Sequence, residues 1–238
     1  MKVLAIGNSF SQDATRYLHQ IAKSDGTDIM VANLCIGGCP LRTHYVNILD
    51  DIKGYGLEIN GVPTGFKVSI KDALISNEWD VITIQQASFK SPHYETYQPY
   101  LNTIEEYLRK FVPQAKIYVH QTWAYADTYP RLATLGFTSM KDMFSHIEKA
   151  YDQAAKDINA DGIILSGKAL LTAVEKGVES VHRDGFHAKL GFGRYLIALT
   201  WYKTLTGKSV LTNNFADFDE PIEAHEIELA KQIAESMA

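Results

Sequence analysis

Three residues in this chain have the side chains for acyl transfer and stand in an order that suits it. Ser9 lies in VLAIGNSFSQ (residues 3–12), where an apolar, strand-like run gives way to a helical pattern. A serine hydroxyl is a weak nucleophile until a base takes its proton, and the base works best when a third group orients it. Asp184 and His187, in HRDGFH at 182–187, are three residues apart around Gly185. A carboxylate at that spacing can reach the imidazole from the same loop. Each residue also has a plainer reading. Ser9 can cap the next helix by accepting a bond from an unpaired backbone N–H, and Asp-Gly is the signature of a solvated turn. The residues alone leave both readings open.

The elements that must position these groups follow from periodicity. Apolar runs at 2–6, 28–35, 79–86 and 115–124, with a shorter one at 161–167, read as strands. Amphipathic stretches at 13–23, 41–52, 69–77, 97–111, 142–156, 170–177, 188–206 and 222–237 read as helices. Between them EINGVPTGFKV, within 55–68, carries Asn-Gly and Thr-Gly turn signals and reads as a small hairpin excursion. Strands alternating with helices predict one α/β domain over 1–238, a three-layer α/β/α arrangement around a central, mainly parallel sheet. Ligands of such sheets sit at the carboxyl ends of the strands. Asn8 and Ser9 fall there after the first strand, Gly37 and Gly38 after the second, and Gln85 and Gln86 at the end of the third.

Composition excludes several classes. Of 238 residues 46% are hydrophobic and 21% charged, the balance of a chain with a substantial core. A net charge of −5 gives no overall basic field for nucleic acid or an anionic membrane surface. No apolar run approaches the roughly 18 residues of a membrane span. The N-terminus is strand-like rather than leader-like, so a cytoplasmic location is expected, although a leader already removed would leave no trace. Cys35 and Cys39 are too few for a disulfide framework or a four-cysteine zinc site and read as reduced thiols. His182, Asp184 and His187 form H-x-D-x-x-H, but no further cysteine–histidine cluster supports a metal, and no metal or cofactor is expected. GFGRYL is not preceded by a strand, and HEIEL lacks a second histidine. Trp123, Tyr125 and Tyr129, in HQTWAYADTYP after the fourth strand, either stack on a substrate such as a sugar ring or pack as ordinary loop aromatics.

Taken together and in order, these blocks resemble the SGNH hydrolases, the GDSL-like lipases and esterases. GNSFS is similar to their first block, with Ser9 as nucleophile; NLCIGG to their second, whose glycine N–H lines the oxyanion hole, Gly38 matching best; DGFH to their last, with Asp184 as orienter and His187 as base. The family's third block, Gly-x-Asn-Asp, supplies an asparagine amide to the oxyanion. Here the stretch is TIQQAS, and an ungapped match puts Ala87 at the asparagine. It is similar to a branch of SGNH-like bacterial proteins whose strand ends in a double glutamine. A glutamine amide has the same donor chemistry on a longer arm, so Gln86, or else Gln85, is the expected donor, with Asn8 or Gln121 next. The resemblance implies a serine esterase; the aromatic and polar residues after the fourth strand, with no long apolar lid segment, point to a small ester, an O-acetyl group on a carbohydrate, with Trp123 and Tyr125 against the sugar. The alternatives are a lipase or thioesterase of the same superfamily, or a non-catalytic carbohydrate- or nucleotide-binding module with a vestigial site. No nucleic-acid or membrane partner is expected, and the oligomeric state is not legible.

Overall fold

A computed structural model describes residues 1–237. Its centre is β1 (Lys2–Gly7), where Val3, Leu4, Ala5 and Ile6 are wholly buried. A strand buried on both faces reads as a continuous apolar run rather than an alternation. On one side β1 pairs in parallel with β2 (Met30–Cys35), on the other with β5 (Val81–Ile84), followed by β6 (Lys116–His120) and β7 (Gly162–Ile164). The hairpin β3 (Tyr55–Ile59) and β4 (Val62–Val68) turns at Asn60-Gly61 and adds antiparallel to β2, so the order is β4-β3-β2-β1-β5-β6-β7. The segment expected as an excursion is thus an edge of the main sheet.

Helices cover both faces: α1 (Ser9–Thr15), α2 (Leu18–Ser24), α3 (Leu41–Leu49), α4 (Ile70–Ser76), α5 (Tyr100–Phe111), α6 (Pro130–Thr134), α7 (Met140–Asp157), α8 (Ser166–Glu175), α9 (Phe192–Thr206) and α10 (Ala224–Glu235). The architecture is the expected α/β one. Two local departures matter for the site. The helix expected at 13–23 is two helices that break at Arg16 and Tyr17. There the Tyr17 hydroxyl donates to Leu190 O at 2.6 Å and accepts from Asp219 N at 2.7 Å, tertiary bonds that override a continuous helical pattern. The third strand stops at Ile84 rather than at 86, which frees Gln85 and Gln86 from strand alternation. No described helix is long and apolar enough to cross a membrane.

Candidate active site

Asn8, not Ser9, caps α1: its Oδ1 accepts from Phe10 N at 3.0 Å. Ser9 is the first helical residue, so its N–H is among those no helical carbonyl reaches, and its hydroxyl is left for other work. That hydroxyl lies 2.9 Å from His187 Nε2, and His187 Nδ1 lies 2.6 Å from Asp184 Oδ2. A carboxylate only accepts, so Nδ1 carries the proton and Nε2 is the acceptor for the Ser9 O–H. The other Asp184 oxygen accepts the backbone N–H of His187 at 2.8 Å and of Phe186 at 3.2 Å. Partial burial pushes the Asp184 carboxyl up, but the bonds from the His187 imidazole and the two N–H groups outweigh it and hold the group below the usual carboxylate range.

The loop carrying Asp184 and His187 is pinned from two sides. From the segment after β6, Trp123 Nε1 donates to Phe186 O at 2.7 Å, Ala126 N to Gly185 O at 2.8 Å, and His182 Nε2 donates to Ala124 O at 3.0 Å. Gly185 takes φ +90°, and a Cβ there would lie 2.7 Å from the Tyr129 ring, so only glycine fits this bend. From α1, Asp13 reaches across. Its wholly buried carboxylate accepts Arg183 Nη1 at 3.0 Å on both oxygens, Arg194 Nε at 2.8 Å and Ala188 N at 3.2 Å. Ser9 and Asp13 stand one helical turn apart, and Arg183 and Ala188 flank Asp184 and His187 in sequence. One helix therefore presents the hydroxyl and also holds the loop that must meet it.

Around Ser9 a cavity of about 370 Å³ is lined by Asn8, Phe10, Gly37, Gly38, Ser88, Phe89, Tyr125, Arg131, Phe186 and His187. Gly38 adopts φ +62° at the tip of the loop after β2, and its N–H finds no acceptor among the described residues. Of the remaining expected site residues, the two glutamines and Trp123 lie elsewhere. Gln86 is fully spent: Oε1 accepts Leu41 N at 3.0 Å and Ala87 N at 2.9 Å, while Nε2 donates to Thr96 O and Thr96 Oγ1, both at 3.1 Å. Gln85 lies behind the pocket, its Nε2 donating to Asn8 Oδ1 at 2.9 Å. Neither glutamine lines the cavity, because the early end of β5 turns both amides into buried backbone and side-chain partners. Trp123 is also absent from the lining. It stacks on Phe10 with ring centroids 4.0 Å apart and is wholly buried, so it braces the loop instead of facing a substrate. Tyr125 does line the cavity, its hydroxyl 2.9 Å from Ser88 Oγ. In H-x-D-x-x-H, His182 faces Ala124 O while His187 faces Ser9, so the two rings do not converge.

Behind Asn8 runs a buried polar chain that the sequence did not suggest. His120 Nδ1 lies 2.6 Å from Gln85 Oε1, an acceptor, so Nδ1 carries the proton and Nε2 accepts from Ser166 Oγ at 3.0 Å. Ser166 accepts in turn from Trp201 Nε1 at 3.2 Å. Burial drives the His120 pKa down to about 3, which keeps the ring neutral and the chain in one sense. Its end fixes the Asn8 amide: with Oδ1 occupied by two donors, Nδ2 donates to Cys39 O at 3.2 Å, on the Gly38 side of the pocket.

The family model for a domain of unknown function, DUF4886, matches residues 2–237. A DUF4886 family protein from Bacteroides uniformis is 34% identical, with TM-score 0.93 over 99% of this chain and 93% of that one. A candidate SGNH hydrolase from Slackia heliotrinireducens is 22% identical, with TM-score 0.63 over 86% and 98% of the two chains. An acetylxylan esterase from Geobacillus stearothermophilus is 14% identical, with TM-score 0.57 over 86% and 94%. The chain thus shares the fold of the SGNH hydrolases. No curated protein sequence matches it significantly.

Proposed function

We propose that this chain, which belongs to the DUF4886 family, is a serine esterase that hydrolyses small O-acyl esters, with O-acetyl groups on a carbohydrate as its substrate class. The observation that carries this is the unbroken relay from Ser9 Oγ through His187 to Asp184, at 2.9 Å and 2.6 Å. His187 Nε2 takes the hydroxyl proton as Ser9 Oγ attacks the acyl carbon. Asp184 keeps the proton on Nδ1 and stabilises the imidazolium. The same Nε2 proton then passes to the leaving alcohol. Water, deprotonated by His187, releases the acyl group in the second half-reaction.

The tetrahedral oxyanion needs donors aimed where charge develops, and losing one typically costs about 100-fold or more in kcat. Ser9 N and Gly38 N supply two. The third is a hydroxyl rather than a glutamine amide. Among the described residues the Ser88 and Tyr125 hydroxyls bond only to each other, at 2.9 Å. Two hydroxyls carry two protons and their mutual bond uses one, which leaves one to donate into the cavity. Asn8 Nδ2, with one hydrogen on Cys39 O, has a second.

The acetylated sugar is supported by the Phe89, Tyr125 and Phe186 rings of the lining, a cavity at the small end of small-molecule sites, and a fold shared with an acetylxylan esterase. Fold alone does not choose a substrate. A panel of p-nitrophenyl esters of rising chain length, run beside acetylated sugars with acetate release as readout, tests it. Acetyl esters should exceed octanoyl esters in kcat/KM, and Ser9→Ala should abolish turnover. Preference for octanoyl esters moves the assignment to a lipase or thioesterase. Sugar binding with no turnover of any ester makes the chain a binding module.

A further inference from the structure

The rim of the same pocket carries charge that the acyl-transfer machinery does not use. Arg131, the second residue of α6, lines the cavity with its guanidinium carbon 5.0 Å from the Phe89 ring centroid. Lys90 Nζ lies 6.0 Å from that same centroid. Among the described residues neither cation forms an ion pair, and neither side chain donates a hydrogen bond. The other arginines near the triad are committed: Arg183 and Arg194 to Asp13, Arg16 to Asp219. Among the described residues no carboxylate lines the cavity, and Asp184 beside it is engaged by His187. Lys90 stands outside the lining, so within it Arg131 is the positive charge, set in a concave site where field lines concentrate.

Building on the esterase reading, we propose that the substrate is an ester that also bears an oxyanion group (carboxylate, sulfate or phosphate), and that Arg131 binds this group while Lys90 strengthens the field around it. A guanidinium presents a planar fork of donors that matches such groups two bonds at a time, and its position over Phe89 restricts the side chain before ligand arrives. Arg131 is then a specificity residue: it selects among esters without touching the acyl carbon. A neutral acylated sugar would fit the cavity but forgo this contact.

The test separates binding from chemistry. In the Ser9→Ala protein, the Kd of 4-acetoxybenzoate and of its methyl ester is measured by calorimetry at low ionic strength, with 4-acetoxyphenyl sulfate and phosphate as further arms that tell the three oxyanions apart. At least one anion should bind about 10-fold more tightly than the neutral ester, a difference of about 1.4 kcal/mol. The preference should shrink with added salt and vanish in Ser9→Ala/Arg131→Glu, with Lys90→Ala giving a smaller loss. Equal Kd for all four ligands, or an anion preference that survives Arg131→Glu, overturns the proposal. Wild-type turnover is read separately. Anion-selective binding with no ester hydrolysis would sink the esterase reading and leave the anion site standing, whereas rapid hydrolysis without anion preference would do the reverse.

Discussion

Replacing Asp13 by asparagine should separate the positioning of the Asp184–His187 loop from the chemistry proposed for it. The carboxylate is wholly buried and gathers Arg183, Arg194 and the Ala188 N–H. Removing one partner of a fully buried ion pair costs about 3–5 kcal/mol. Arg183 and Arg194 keep side-chain exposures of 27% and 13%, so water screens part of the loss and the low end, about 3 kcal/mol, is expected. A chain of this size loses roughly 2–4 °C of Tm per kcal/mol, hence about 6–12 °C, which leaves a folded protein at room temperature. The catalytic effect is larger than the fold alone would suggest. Arg183 and Ala188 bracket the acid–base pair, and a misplacement of about 1 Å can cost 100-fold in rate. Thermal unfolding, kcat, KM and the pH–rate profile should be measured on the same sample well below its Tm. Asp13→Asn should lower kcat about 10–100-fold with KM little changed, and Asp13→Glu should restore part of it. A variant that loses Tm but keeps wild-type kcat would refute the positioning role.

Gln86→Ala should lower Tm, because Leu41 N and Thr96 lose buried partners at about 1–3 kcal/mol for each group left unpaired, while kcat stays within a few-fold; a 100-fold fall in kcat at unchanged Tm would return that glutamine to the oxyanion hole. The double change Ser88→Ala/Tyr125→Phe removes the spare hydroxyl proton and should reduce kcat far more than it raises KM, and unchanged kcat would discount those hydroxyls. Burial lowers the pKa of His44 and His182 to about 4 and of His120 to about 3, below the unfolded value of about 6.5. The unfolded chain therefore takes up protons first as pH falls. The stability these rings contribute is complete above about pH 6.5 and drains away toward pH 4, so Tm should drop steadily across that window, and a flat Tm there would contradict their neutral burial.

Much of the site was legible because the signals are local. An apolar run ending in Gly-Asn-Ser puts a hydroxyl at a strand tip wherever the strand lies in the sheet, and Asp-Gly-Phe-His brings acid and base together within one turn. The sheet followed from strand–helix alternation for the same reason. What escaped depended on distant partners. Ser9 and Asn8 are equally good caps by type, and the buried amide chain to Gln85 and His120 fixes Asn8 in that role. Gln86 has the right chemistry for a donor, but Thr96 and Leu41 N consume it from elsewhere in the chain. Trp123 reads as a stacking platform only while Phe10, at 4.0 Å, is out of view. Asp13 looks like an ordinary first-turn acid until Arg183 and Arg194 close on it. Arg131 sits in a five-residue helix too short to show periodicity.

The claim on which all of this turns is that Ser9 is an activated nucleophile. Mass spectrometry after treatment with a fluorophosphonate tests it most directly. The folded protein should gain one adduct, located on Ser9, with labelling slowed by about 100-fold or more in His187→Ala and absent in Ser9→Ala. A folded protein that leaves Ser9 unmodified, or that is labelled equally fast without His187, would contradict the account.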